Sequence, residues 1–321
     1  MSVRLWFSMT TALALTIALT SLGILLISEL LGGLSILTAV IIAVAMIIFQ
    51  WLIAPSIINL MYDLKPARET SYAWLEDIVA DIARKSGLKK VPRVYVAFTD
   101  IANAFAFGNI FVGKKVAVTT GLLRILNPDE VKAVLGHELG HIKHRDVEIM
   151  MALSVLPAIF YLIARWAYYS GLFGGIRSGE RDSSGLVLLA IAAFSIVMYY
   201  ILSLFMLWVS RVREYFADLH SADVVENGSI NLARALAKLE LANSKIIGKI
   251  RDIGTGPLAF KALMISDPER KVSAPLYGSI DEYIYSLANK RISLRERIAE
   301  ILSTHPLTPK RIRFLLSRRG S

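Results

Sequence analysis

The chain has 321 residues, of which 55% are hydrophobic and none is cysteine, and its formal net charge is +10. The apolar fraction is too high for an ordinary globular domain, and the lack of cysteine excludes disulfides and thiolate metal ligands. Nucleic-acid binding is not indicated either, because the polar segments mix both signs of charge, and we attribute the basic excess to membrane orientation.

Four long apolar runs predict membrane-spanning helices, and they occupy residues 5–27, 34–58, 149–169 and 186–209. Each run has 21 or more residues, which is enough to cross the hydrocarbon core of a bilayer. The third run is the weakest, because Pro157 can kink it and Arg165 interrupts it near one end. The first run is about twice as long as the apolar core of a signal peptide, so we expect a retained anchor.

The apolar runs divide the chain into four segments. We expect an N-terminal transmembrane hairpin (1–61), a first polar block (62–148), a second transmembrane hairpin (149–209) and a second polar block (210–321). Lysine and arginine are concentrated in the two polar blocks, which the positive-inside rule places in the cytosol together with the N-terminus. The predicted fold class is a mainly α-helical membrane protein of α+β type with four transmembrane helices.

In the first polar block, the spacing of apolar residues predicts an amphipathic helix over 67–86. Short β-rich runs then predict a small antiparallel sheet, with strands at 93–97, 102–107 and 115–119. Asn127 caps and Pro128 begins a helix that we expect to continue to His144.

The second polar block is predicted to be mostly helical. Asn227-Gly228 marks the end of a helix, Ser293 and Glu296 form a capping box, and Thr308-Pro309 begins another helix. Residues 245–280 show no interpretable periodicity.

The motif that carries the most chemistry is His137-Glu138-Leu139-Gly140-His141, on the helix predicted to begin at Pro128. Residues four apart lie on the same helix face, so the two imidazoles can bind one zinc ion while Glu138 lies beside them. We therefore predict His137 and His141 as metal ligands and Glu138 as the catalytic base.

A third protein ligand must be a histidine or a carboxylate, because the chain has no cysteine. Glu214 and Asp218 lie one helical turn apart, so that Glu214 can bind the metal while Asp218 orients a ligand histidine. Two membrane spans separate Glu214 from the histidines and return it to the same side of the membrane. The alternative for this pair is salt bridging with Arg211 or Arg213.

HELGH on a capped helix, followed by a membrane hairpin and by REYFAD at 213–218, resembles the HtpX-type membrane zinc metallopeptidases, relatives of the CAAX prenyl proteases. The resemblance covers nearly the whole chain and implies a zincin-like catalytic domain. On the residues alone, the segment 103–108 is either an exposed edge strand that pairs with substrate or an interior strand whose Phe105 and Phe107 fill the core. It looks like the substrate-binding strand of that family, which implies the edge strand and implies that Asn103, Ala104, Phe105 and Ala106 contact substrate. His305-Pro306, followed by Arg311-Ile312, looks like its C-terminal motif, so His305 is implied as a transition-state donor.

The function expected from these features is a zinc endopeptidase with one Zn²⁺ per chain in the cell membrane. The family implies cleavage of unfolded or misfolded membrane proteins on the cytosolic side, as in protein quality control and stress response. Two alternatives remain: a non-catalytic zinc-stabilised receptor or chaperone, in which a fourth protein ligand closes the metal site, and a prenyl-protein protease. We expect His144 and His220 to make surface or helix contacts only.

Overall fold

A computed structural model describes residues 36–177, 184–251 and 279–318. The α-helices in these ranges are α1 (Ile36–Tyr62), α2 (Trp74–Lys85), α3 (Thr120–Ile125), α4 (Pro128–Lys143), α5 (Asp146–Arg177), α6 (Ser184–Val224), α7 (Gly228–Arg251), α8 (Ile280–Asn289), α9 (Leu294–Ile301) and α10 (Thr308–Ser317). The strands are β1 (Lys65–Pro66), β2 (Arg93–Ala97), β3 (Ala104–Asn109) and β4 (Gly113–Thr119). The protein is therefore mainly α-helical with one small sheet, as predicted.

Three of the described helices contain segments long and apolar enough to cross a membrane, namely Val40–Tyr62, Asp146–Leu172 and Gly185–Val224. They correspond to the second, third and fourth apolar runs. The weak third run forms part of α5, which continues as one helix through Pro157. The first apolar run, at residues 5–27, lies outside the described residues.

The described residues form two compact units. One unit contains Ala54–Val147 and the described residues from Val209 onward, and it holds the sheet and the HELGH motif. The other contains the described residues up to Ile53 together with Glu148–Trp208.

The sheet has the strand order β1-β2-β4-β3 and is mixed, so the predicted antiparallel sheet is wrong in one pairing. β3 and β4 form an antiparallel hairpin, whereas β2 pairs with β4 in parallel. The six residues between β2 and β3 can span two inter-strand spacings, about 10 Å, and β4 then returns into the gap between them. The prediction assumed that strands adjacent in sequence are neighbours in the sheet.

The two faces of the sheet pack against different parts of the same unit. One face carries the valines of β2 and β4 and faces the main hydrophobic core, which also contains the buried sides of α2, α4, α7, α8 and α10. The other face carries Phe105 and Phe107, which form a small second core with Tyr62 at the end of α1. The Tyr62 and Phe105 ring centroids are 4.9 Å apart. The sheet is thereby attached to the last turn of α1.

Local sequence signals account for most helix ends. Asn127 and Glu130 form a capping box at the start of α4, and Ser293 and Glu296 form the predicted box at α9. The helix predicted over 67–86 begins only at Trp74, because the Thr70 hydroxyl donates to the Ala67 carbonyl and accepts from the Tyr72 N–H. These side-chain bonds stabilise a turn where the apolar spacing alone predicts helix.

Candidate active site

The helix α4 presents both histidines of the HELGH motif into one buried space. His137 is 1% exposed, and its Nε2 atom lies 3.1 Å from Nε2 of His141. The four-residue spacing places the two rings one turn apart on the same face, as predicted. Two imidazole nitrogens at this distance require a proton or a cation between them, because their lone pairs otherwise repel.

The helix α6 supplies Glu214 to the same space. Its two carboxylate oxygens lie 3.6 Å from Nε2 of His137 and 3.6 Å from Nε2 of His141, respectively. The close approach of α4 and α6 depends on Gly140, since a Cβ there would lie 3.0 Å from the Cα of Ala217. The glycine inside the HELGH motif thus allows the third carboxylate to reach the two histidines.

His137, His141 and Glu214 have the donor set and spacing that a metal ion needs. One ligand atom from each residue lies within 4.8 Å of the others. Ligand atoms around a tetrahedral zinc ion, with bonds of about 2.0–2.2 Å, lie roughly 3.3–3.6 Å apart, close to the distances above. In the described part of the chain, the buried Glu214 Oε2 accepts no hydrogen bond, although Arg311 Nη1 lies 3.0 Å away. The residues therefore fit a bound zinc ion.

Asp218 lies one turn beyond Glu214 and contacts His137 from behind. Its Oδ1 is 2.9 Å from Nδ1 of His137, so Nδ1–H donates to the carboxylate and Nε2 keeps its lone pair for the metal. Arg311, which is 1% exposed, binds both oxygens of Asp218. Burial would lower the pKa of Arg311, but the charges of Asp218 and Glu214 raise it.

Asp146, which the sequence analysis did not identify, orients His141 in the same way. Its Oδ2 lies 2.6 Å from Nδ1 of His141, and its other oxygen is paired with Arg213. Arg213 also donates to the carbonyl of His144 at 2.9 Å. Asp146 begins α5 only five residues after His141, so the signal available in the sequence was an acid directly after the end of the metal helix.

Glu138 is buried at the floor of the site, where it is 3% exposed. Its Oε2 accepts a hydrogen bond of 2.8 Å from the backbone N–H of Ala106 in β3. Burial raises the pKa of Glu138 to about 7, although the charge of His141 opposes the change. Burial also lowers the pKa of His137 to about 4, which favours the neutral imidazole that binds metals.

A cleft of about 150 Å³ opens above these residues. One side is β3, from Ala104 to Gly108, and the other side includes His137, Glu138, His141, Glu214 and His305. His305 Nε2 lies 3.5 Å from Oε1 of Glu214. Asn103 does not line the cleft; it is buried just before the start of β3, and its backbone pairs with Thr119.

The strand β3 is at the edge of the sheet by its pairing, but it is not exposed. Only Ala106 of its six residues is half-buried and the other five are buried. Phe105 and Phe107 fill the small core on one face, as in the interior alternative, while the Ala106 side chain packs against the main core on the other.

The remaining candidates have structural partners. Arg211 donates to carbonyls at the end of α9, and Arg213 pairs with Asp146, so neither arginine forms the predicted alternative salt bridge with Glu214 or Asp218. His220 is bonded to Ser86 through Nε2 at 2.8 Å, and its ring packs on His144. These two histidines make helix contacts, as expected.

Together, the fold and the site define a metallopeptidase of the HExxH type that is anchored by apolar helices. The sequence profile of peptidase family M48 matches residues 69–319, and the chain belongs to this family. It is accordingly a multi-pass membrane metallopeptidase.

Relatives that are similar over most of the chain carry the name Protease HtpX homolog. One from Thermoplasma acidophilum is 35% identical over 328 residues, covering 98% of this chain and 97% of the relative. One from Aeropyrum pernix is 37% identical over 276 residues, covering 85% and 83%. One from Saccharolobus solfataricus, Protease HtpX homolog 2, is 38% identical over 245 residues, covering 72% and 75%.

The crystal structure of S. mikatae Ste24p has a similar fold. It superposes with a TM-score of 0.61 and 17% sequence identity, covering 98% of this chain and 67% of that chain.

Proposed function

We propose that the protein is a zinc-dependent endopeptidase that hydrolyses peptide bonds of unfolded or misfolded proteins at the cytosolic side of the cell membrane. The observation that carries this proposal is the position of Glu138. Its carboxylate lies in the same cleft as His137, His141 and Glu214, and β3 forms the opposite wall. A metal that only stabilised the fold would not need a buried carboxylate beside it.

His137, His141 and Glu214 would hold Zn²⁺, which when bound lowers the pKa of a coordinated water and polarises the scissile carbonyl. Asp218 and Asp146 keep both imidazoles in the tautomer with a free Nε2. Glu138, positioned by the Ala106 N–H, accepts the proton of the attacking water and passes it to the leaving amine. His305, which lines the same cleft beside Glu214, donates a hydrogen bond to the developing oxyanion.

Substrate would bind along β3 by adding a strand to the sheet edge. In the antiparallel register, Phe105 and Phe107 bond to β4, which leaves the backbone groups of Ala104, Ala106 and Gly108 directed away from it. The Ala106 N–H already reaches Glu138 in this direction. Pairing through main-chain atoms depends little on the side chains of the substrate. Such binding suits unfolded chains and a role in protein quality control.

The orientation follows from the distribution of positive charge. Lysine and arginine are concentrated in the two polar blocks, and the positive-inside rule places those blocks in the cytosol. The non-catalytic receptor or chaperone is not favoured. Such a site needs a fourth protein ligand, and among the described residues only His137, His141 and Glu214 form a metal-binding group.

The test is Glu138→Gln in the full-length protein purified in detergent. The amide keeps the size of the side chain and leaves both imidazoles in place but cannot accept the proton. We expect one zinc per chain by metal analysis and cleavage of casein reduced by at least two orders of magnitude. The control is Asp129→Asn, which neutralises an exposed carboxylate on the same helix outside the cleft. Wild-type turnover by Glu138→Gln would refute the assignment of the base.

A further inference from the structure

An exposed apolar tip joins β3 to β4 beside the cleft. It consists of Ile110, Phe111 and Val112, which are 70%, 72% and 42% exposed. Single exposed apolar side chains are common on protein surfaces and need no explanation. Three in a row, including an aromatic ring, at the end of a hairpin indicate a surface that is covered in the working state.

The apolar tip is held in one shape by its own backbone. Oδ1 of the buried Asn109 accepts hydrogen bonds of 3.0 Å from the N–H groups of Phe111 and Val112. Gly108 has a φ of +114°, and a Cβ there would lie 2.1 Å from the carbonyl oxygen of Gly113, so the turn requires glycine. A turn fixed in this way presents its side chains outward without the entropy cost of ordering a loop.

The segment of sequence that contains the apolar tip is positively charged. Residues 104–119 contain no acid, and Lys114 and Lys115 directly follow the turn. Nζ of Lys115 lies 5.5 Å from the ring centroids of Tyr95 and Phe107, and Lys114 lines the cleft. Apolar and aromatic side chains next to lysines are typical of segments that lie in the interface of anionic membranes.

The hairpin is also attached close to the end of a membrane helix. Phe105 packs on Tyr62, the last residue of both α1 and its apolar segment. Four residues of strand, about 13 Å, separate Phe105 from Asn109 at the base of the tip. One ring contact and about 13 Å of strand therefore connect the base of the apolar tip to the end of the apolar segment of α1.

We propose that the apolar tip inserts into the boundary between lipid headgroups and acyl chains, with Lys114 and Lys115 against anionic headgroups. Since Phe107, Gly108 and Lys114 line the cleft, its entrance then opens at the lipid surface. Chains that emerge from the bilayer would reach β3 without crossing bulk water. A second copy of the chain fits the tip less well, because three side chains offer far less than the roughly 800 Å² per partner of a stable interface.

The experiment measures the depth of a fluorophore in the full-length protein reconstituted into vesicles of phosphatidylcholine and phosphatidylglycerol. The chain has no cysteine, so Phe111→Cys gives a single labelling site for an environment-sensitive dye. The control is Glu226→Cys, an exposed position beyond the end of α6. It lies about 25 Å along the helix axis from Val209, where the apolar run ends.

We expect the label at 111 to be quenched by bromine on lipid acyl chains and to be severalfold less accessible to aqueous iodide than the label at 226. Equal access of iodide to both labels would overturn the proposal. So would quenching that depends on protein density in the vesicle, which would assign the tip to a second copy. This readout needs no turnover, so it can fail or succeed independently of the proposed peptidase activity.

A second variant tests the consequence for substrate access. The triple change Ile110→Ser, Phe111→Ser and Val112→Ser leaves every cleft residue in place. We expect severalfold slower cleavage of a membrane-embedded substrate and unchanged cleavage of casein in the same vesicles. Equal rates of the variant and the wild type on the embedded substrate would overturn the role in access.

Discussion

Asp146→Asn should weaken metal binding although Asp146 is not itself a ligand. One oxygen of the carboxylate lies 2.6 Å from Nδ1 of His141, and the other is paired with Arg213. Asparagine can still accept from Nδ1–H, but the bond loses its negative charge and about half of its strength. Loss of such orienting partners costs roughly 10–100-fold in metal affinity, which is about 1.4–2.7 kcal/mol. Because the amide keeps one acceptor, we expect a loss of about tenfold.

The assay is competition for zinc with a chromophoric chelator, using the full-length protein in detergent. The control is Asp129→Asn on the exposed first turn of α4, where the carboxylate pairs only with Lys132 at the surface. Its affinity should stay within twofold of the wild type. Unchanged affinity in Asp146→Asn would mean that the tautomer of His141 is fixed by another group, and the role assigned to Asp146 would be wrong.

Three further predictions concern strand β3, the contact between α4 and α6, and the orientation of the protein in the membrane. Ala106→Pro removes the N–H that binds Glu138, so casein cleavage should be lost or show a raised KM. Zinc content and thermal stability should stay at the wild-type level, and unfolding of the variant would contradict the assignment of β3 as an edge strand. Gly140→Ala should lower zinc affinity in the chelator competition because it displaces the backbone of Ala217, which lies between Glu214 and Asp218 in α6; unchanged affinity would contradict this. Ser183→Cys should react with an impermeant reagent in intact cells and Ser244→Cys should not; the opposite pattern would refute the cytosolic orientation.

The parts of the fold that the sequence predicted correctly depend on short-range physics. Helix α4 begins where Asn127 and Pro128 require it, and the spacing of its two histidines determines their shared face. The strands were located within a few residues, because alternation and turn residues are local signals. The order of the strands was not local, so the parallel pairing of β2 with β4 was missed.

The site shows the same division between local and non-local information. Glu214 and Asp218 could be predicted as the third ligand and its neighbour because one helical turn separates them and the chain has no cysteine that could bind the metal instead. Arg311 could not, because its role depends on contacts across the fold, whereas Asp146 was missed although it lies only five residues after His141. Arg311 lies 93 residues from Asp218 in sequence, yet it binds both oxygens of that carboxylate.

The helix crossing at Gly140 explains why these distant residues form one site. Any side chain at Gly140 would meet the backbone of Ala217, and Ala217 lies between Glu214 and Asp218 on α6. The two helices therefore approach closely where one carries the imidazoles and the other carries both carboxylates. Asp218 then needs a cation, because it is fully buried, and Arg311 of α10 supplies it. Gly140 thus allows the carboxylates of α6 to reach the imidazoles of α4, and the burial of Asp218 accounts for its ion pair with Arg311 of the last described helix.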